Sequence, residues 1–149
     1  MSAVAIPNLW AGKISKSVLT PLVILRQQAV NLETESGTML RAEVTSSIGN
    51  LGHKDEKKRR LTFLIHAPIL RYTREVLVAT HADQGAYPVA IQSTFGLLEF
   101  DEAIGEDVWV EKTSCENQER FIEVLGRIFG SEKLQSELES LIARINELS

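Results

Sequence analysis

Hydrophobic positions recur at steps of three and four residues early in the chain, as one face of a helix requires. The members of this apolar stripe are Leu22, Leu25, Ala29 and Leu32. Thr20 followed by Pro21 indicates the start, because threonine can accept a hydrogen bond from a free backbone N–H and proline has none to leave unpaired. Ser36–Gly37 provides a stop. The pattern predicts a helix from about Pro21 to Glu35.

From Thr38 the pattern shortens to alternating positions, which indicates a half-buried strand. The segment SSIGNLGHKDEKKRR, residues 46–60, shows neither a helical nor a strand period and is predicted to be a loop. Four further strands are predicted at LTFLIHA, EVLVATHA, YPVAIQS and VWVEK, with LLEF as a candidate for additional pairing. Pro68 is expected to end the first of these four. The strands leave no room for helical crossovers, so the sheet should be mainly antiparallel.

The C-terminal third returns to a helical period. Thr113 and Glu116 have the spacing of a capping box, which predicts a helix that runs to Gly130, and Ser131 then starts a last helix. The apolar positions of this last helix are Leu134, Leu138, Leu141, Ile145 and Leu148. Their period of 3.5 fits packing on the protein's own sheet, the favoured interpretation, and also fits a short coiled-coil seam between subunits.

These elements predict an α+β fold, with a mainly antiparallel sheet of about five strands, one N-terminal helix and two C-terminal helices. A chain of 149 residues with 44% hydrophobic positions fits a single domain, 1–149, in which residues 1–12 are expected to be a mobile arm. The one cysteine cannot form an internal disulfide, and the start of the chain lacks the basic region of a secretory signal. We therefore expect a cytoplasmic protein. The apolar run 18–25 is too short to cross a membrane.

Charge is unevenly distributed. Residues 54–74 carry a net charge of +5, and residues 99–149 carry −8. The basic run Lys57, Lys58, Arg59 and Arg60 is a candidate binding site. The favoured interpretation is a charged loop that discourages edge pairing of the strands. An acidic protein surface is the alternative, including the chain's own C-terminal helices. Nucleic acid is disfavoured as a partner, because four phosphate contacts give weak binding at physiological salt.

Catalytic signatures are absent from the sequence: it has no phosphate-binding glycine loop, no nucleophile elbow and no paired cysteines. If the strands around His66 and His81 form a hairpin centred near residue 71 or 72, the two histidines share a face about 13 Å apart, too far for one metal ion. No metal site and no cofactor are expected. Cys115 would lie in the first turn of a helix, where a reactive thiol is possible, although an ordinary half-buried cysteine is favoured.

The preferred hypothesis is a small non-enzymatic interaction or regulatory protein. It would act on a protein partner or on a second copy, through the acidic C-terminal helices or an exposed sheet face, with Leu138 and Ile145 as candidate contacts. The alternative is a small-molecule binder or enzyme whose pocket lies between sheet and helices, with His66, Tyr72 and His81 at its mouth. Weak nucleic-acid binding through the basic segment 54–60 is the third possibility.

Overall fold

The computed structural model describes residues 5–13, 17–50, 57–95 and 97–148. The helices of this part of the chain are α1 (Pro21–Glu35), α2 (Gln118–Phe129) and α3 (Glu132–Glu147). Its strands are β1 (Arg41–Asn50), β2 (Lys57–Ala67), β3 (Tyr72–Ala82), β4 (Val89–Gln92), β5 (Leu98–Asp101), β6 (Glu106–Trp109) and β7 (Lys112–Cys115). A single 3₁₀ turn, Pro68–Leu70, joins β2 to β3.

The main sheet has five antiparallel strands in the order β1-β2-β3-β4-β7, and β5 and β6 form a separate antiparallel hairpin. The predicted α+β class is therefore confirmed, including the placement of one helix before the sheet and two after it. The sheet contacts all three helices through one face. Along β2 this face presents Leu61, Phe63 and Ile65, which are buried, while Thr62 and Leu64 on the opposite, open face are half-buried.

Helix α1 has the predicted bounds. Thr20 caps it, and its Oγ1 accepts a hydrogen bond from the backbone N–H of Val23 at 3.3 Å. Pro21 occupies the first helical position, where a missing N–H breaks no helical hydrogen bond. Leu25 is fully buried at the centre of the predicted stripe, so the stripe faces the sheet.

The basic run is part of a strand, so its prediction as a loop is wrong. β1 continues to Asn50, and β2 begins at Lys57, paired with Asn50 across the hairpin. The rest of the predicted loop, residues 51–56, lies outside the described residues. β2 lies between β1 and β3, so the run cannot protect a sheet edge as we expected. Backbone pairing with both neighbours holds these residues extended although their side chains show no hydrophobic period.

The region between β4 and α2 also differs from prediction. The predicted single strand VWVEK is divided between two strands of different sheets. β6 ends at Trp109 and pairs with β5, which contains three residues of LLEF. β7 starts at Lys112 and joins the main sheet. The predicted capping box is wrong, because Thr113 lies within β7. Asn117 caps α2, and its Oδ1 accepts from the N–H of Arg120 at 2.9 Å.

A β-bulge sets the register between β2 and β3. Phe63 pairs with Leu77 and Leu64 pairs with Glu75, which leaves Val76 as an extra, buried residue on β3. Its carbonyl accepts a hydrogen bond of 2.6 Å from the hydroxyl of Ser93, so a buried side chain satisfies a backbone group that the ladder leaves free.

Helix α3 packs on the chain's own sheet, as the favoured interpretation predicted. Leu141 and Ile145 are buried in one cluster with Leu40 and Ala67, which precede β1 and end β2. Leu148, the last position of the 3.5-residue pattern, is 65% exposed. The apolar stripe of α3 is therefore packed inside the domain for most of its length.

Candidate binding groove beside helix α1

Two adjoining concavities follow α1 on the helical side of the sheet and together form a groove. One wall is α1, and the other is formed by α2 and then α3. The groove has two parts, of about 540 Å³ beside the first half of α1 and about 410 Å³ beside the second half, and Gln28 and Phe129 line both. We call the whole feature the α1 groove.

The first half of the groove is apolar and uncharged. Three of its lining residues, Leu19, Val23 and Ile122, are 44%, 49% and 48% exposed. Leu19 is held in place at the end of the groove, since its N–H donates to Oε1 of Gln118 at 2.7 Å and its carbonyl accepts from the hydroxyl of Tyr87 at 2.8 Å. Large apolar side chains exposed beside a concavity are typical of a binding surface.

The second half has an apolar floor and an acidic, polar rim. Its floor includes Phe63, whose ring lies 5.1 Å from that of Phe129, centroid to centroid. Glu35 of α1 and Glu139 of α3 stand on opposite rims, and the described residues of the lining include no lysine or arginine. Neither carboxylate forms an ion pair within the described part of the chain. This half therefore favours a ligand that carries apolar groups and a positive charge.

The sequence contains a signal for this groove that we did not use. The start of α1 reads PLVIL, five consecutive apolar residues, which is more than one buried face requires. Ile24 and Leu25 supply the buried contact, and Val23 is the surplus residue that faces the groove.

The predicted basic site is divided between the two faces of the sheet, because side chains alternate along a strand. Lys57 and Arg59 lie on the face that carries the helices, whereas Lys58 and Arg60 lie on the open face. Arg59 is within 3.9 Å of Asp83 and donates to Ser46 at 3.4 Å. The four charges do not form one patch.

The candidate contacts on α3 lie inside the fold. Ile145 is 5% exposed, and Leu138 is half-buried in the floor of the α1 groove. A partner could reach Leu138 through the groove, whereas Ile145 packs against the sheet.

The three residues of the alternative pocket are not brought together. His66 lies on the open face, opposite Thr73, while Tyr72 and His81 lie on the helical face at opposite ends of β3. The expectation that the two histidines share a face is wrong, because the hairpin turns at 68–70 and contains a bulge. The hydroxyl of Tyr72 donates to Glu137, and burial is the largest cause that raises the pKa of Tyr72.

His81 has a structural position. It is buried, and its Nδ1 lies 2.7 Å from the carbonyl oxygen of Ala82 and 2.6 Å from that of Gly85. Both acceptors are carbonyls, so Nδ1 carries the proton and holds the turn after β3.

A polar cluster on the open face was not predicted. His66 Nε2 lies 3.0 Å from Oε2 of Glu43, and its Nδ1 lies 2.9 Å from the hydroxyl of Thr73. A carboxylate, an imidazole and a hydroxyl in sequence can transfer protons. These three stand on the open face of the sheet, however, and the α1 groove is lined by other residues, so we assign the contacts to cross-strand pairing.

Cys115 lies in β7 and is fully buried, so it is not in the first turn of a helix as we expected. Burial raises the pKa of its thiol to about 11. A thiol with this pKa is almost entirely protonated at neutral pH and is a poor nucleophile.

Comparison with protein-family models, curated proteins and solved structures found no match to the chain. Among the described residues, no group of three or more His, Cys, Asp or Glu side chains is placed to hold a metal ion. No helix in this part of the chain has the length and apolar character needed to cross a membrane.

Proposed function

We propose that the protein is a small interaction module that binds a short apolar segment of another polypeptide in the α1 groove and does no chemistry on it. The observation that carries the proposal is an apolar floor beside both halves of α1, together with two rim carboxylates, Glu35 and Glu139, that form no ion pair among the described residues. The class of protein is the one expected from the sequence, whereas the contact surface is the α1 groove instead of the acidic C-terminal helices or an exposed sheet face.

The dimensions of the groove define the ligand. A helix of 15 residues is roughly 22 Å long at 1.5 Å per residue. An extended segment of about six or seven residues spans the same length at 3.3 Å per residue. Its apolar side chains would fill the half lined by Val23 and Ile122, and a lysine or arginine at its other end would lie between Glu35 and Glu139.

Peptide binding tests the proposal. The probes are fluorescein-labelled peptides with terminal lysines and with leucines spaced either alternately, for an extended ligand, or three and four apart, for a helical one. We expect saturable anisotropy with at least one spacing. The variant Glu35→Lys/Glu139→Lys should weaken binding about tenfold or more, since rim charges of the wrong sign repel the ligand.

The matched control is Glu147→Lys, an exposed charge reversal on the same helix and outside the groove lining, which should leave binding unchanged. Replacing the peptide lysines with glutamates should abolish binding to the wild type. Equal binding by the two charge forms, or no saturable binding at any spacing, contradicts the proposal.

A small-molecule ligand is the second candidate, because both parts of the groove fall within the volume range of metabolite pockets. In the part of the chain that the structure describes, the groove lining offers no histidine, lysine or arginine to orient an anionic metabolite. A small bound mass in a native mass spectrum, lost in Val23→Asp, would favour this candidate over a polypeptide ligand.

A further inference from the structure

The outer edge of β1 is long and unpaired. β1 is the terminal strand of the main sheet, and no other strand of the described residues pairs with its second side. Its pairing with β2 is unbroken from Arg41 to Asn50, without a bulge. The central residues 44–48 contain no charge and no proline, and Ile48 is 52% exposed. Monomeric proteins usually protect such an edge with lysine, proline or a bulge.

The opposite edge of the sheet differs in the expected way. It is formed by β7, which has only four residues and begins with Lys112. A short strand with a charged residue is a poor template for further pairing. The contrast indicates that the β1 edge is available for a partner strand, whereas the β7 edge is protected.

We infer that β1 pairs with β1 of a second copy of this chain, antiparallel about a two-fold axis, which joins two five-stranded sheets into one. In an isologous contact of this kind both copies use the same strand, so a residue pair on one side of the axis is repeated on the other. The inference concerns a surface separate from the α1 groove and does not depend on the peptide ligand.

The side chains of β1 fit this pairing on the helical face. An axis perpendicular to the sheet keeps each face continuous, so residues that oppose each other point to the same side. With Ser46 on the axis, Val44 lies opposite Ile48 of the second copy, twice. The exposed side chain of Ile48 is then covered by an apolar neighbour, and cross-strand pairs of this kind stabilise antiparallel sheets.

The open face supplies charge complementarity. In the same register Glu43 lies opposite Gly49 of the second copy, and Gly49 is paired in its own sheet with Lys58. Glu43 and that lysine are two strand spacings apart, roughly 9.6 Å, with no side chain between them. Both side chains are long enough to meet across the glycine.

A register shifted by one pair gives a similar result. With Thr45 on the axis, Glu43 lies opposite Ser47, whose own partner in β2 is Arg60. In both registers a carboxylate of one copy faces a cation at the start of β2 in the other, and no like charges lie directly opposite each other. Part of the basic run thereby gains an acidic partner from the second copy.

The oligomeric state tests the inference. Light scattering after gel filtration, from low to high micromolar concentration, should show a mass of twice the chain for the wild type. The variant Thr45→Lys/Ser46→Lys changes two exposed side chains and places lysine opposite lysine in either register, at position 46 in the first and at position 45 in the second. We expect it to weaken dimerisation about tenfold or more. Ser114→Lys, on the exposed face of β7, is the matched control and should remain dimeric.

Cross-linking identifies the surface independently. Opposed residues of antiparallel strands have Cβ atoms about 4.5–5.5 Å apart, so Ser46→Cys in the first register, or Thr45→Cys in the second, should form an intermolecular disulfide on mild oxidation, whereas Ser114→Cys should not. A wild type that is monomeric at every concentration overturns the inference. A dimer that the lysine variant leaves intact and that neither cysteine variant of β1 cross-links overturns it as well. Loss of peptide binding in the groove variants would affect neither result.

Discussion

Ser93 should contribute more to stability than its small hydroxyl suggests, because that hydroxyl satisfies two buried backbone groups at once. It donates to the carbonyl of Val76 in the β3 bulge at 2.6 Å and accepts from the N–H of Phe95 at 3.0 Å. Val76 and Phe95 are 1% and 0% exposed, so water cannot replace the hydroxyl without a local rearrangement.

Ser93→Ala should therefore leave one buried acceptor and one buried donor without a partner. Each unsatisfied group costs about 1–3 kcal/mol, so for the two groups we expect a loss of roughly 2–6 kcal/mol in the free energy of unfolding. Urea unfolding followed by circular dichroism measures this loss, with the m-value checked for two-state behaviour. The matched control is Ser114→Ala, an exposed serine in β7, which should change the free energy by less than about 0.5 kcal/mol.

A loss in Ser93→Ala no larger than that of the control would refute the reasoning, because it would mean that the bulge does not depend on the serine. Hydrogen exchange adds a local test. The amide of Phe95 should exchange faster in the variant, since its acceptor has been removed, whereas the amides of α1 should be affected only as far as global stability falls.

Three further predictions concern other parts of the fold. Burial raises the pKa of Cys115 from 9.0 to about 11, so folding disfavours the thiolate. The free energy of unfolding should therefore fall as the pH rises from about 9 to about 11. Urea unfolding at several pH values measures this fall, which should be smaller in Cys115→Ala. Thr38 has a φ of 66°, a left-handed conformation that costs a β-branched residue more free energy than it costs asparagine. Thr38→Asn should therefore raise the melting temperature. A gain of about 1 kcal/mol in the free energy of unfolding corresponds to a rise of about 2–4 °C. Ile145→Ala should lower the free energy of unfolding in urea by about 2–4 kcal/mol, because it leaves a cavity in the core. Leu148→Ala should lower it by less than about 0.5 kcal/mol. Equal losses would contradict the packing of α3 on the sheet.

The features that the sequence predicted correctly depend on local interactions. The bounds of α1 follow from a cap, a proline and an apolar stripe within one segment, Thr20–Gly37. The packing of α3 follows from a period that its own residues define. The α+β class follows from the order of such segments along the chain. Each of these requires no knowledge of what lies elsewhere in the molecule.

The features that only the tertiary structure decided depend on which strands meet. The charged residues of β2 are extended because β1 and β3 pair with them on both sides, and nothing in KKRR favours a strand by itself. The register that separates His66 from His81 depends on a bulge stabilised by Ser93, which is 17 residues from Val76 in sequence. The α1 groove exists only where one helix meets two others. The extended basic run, the register of β2 against β3 and the α1 groove all depend on contacts between segments far apart in the sequence. The pattern of hydrophobic positions within one segment does not show which other segment it will contact.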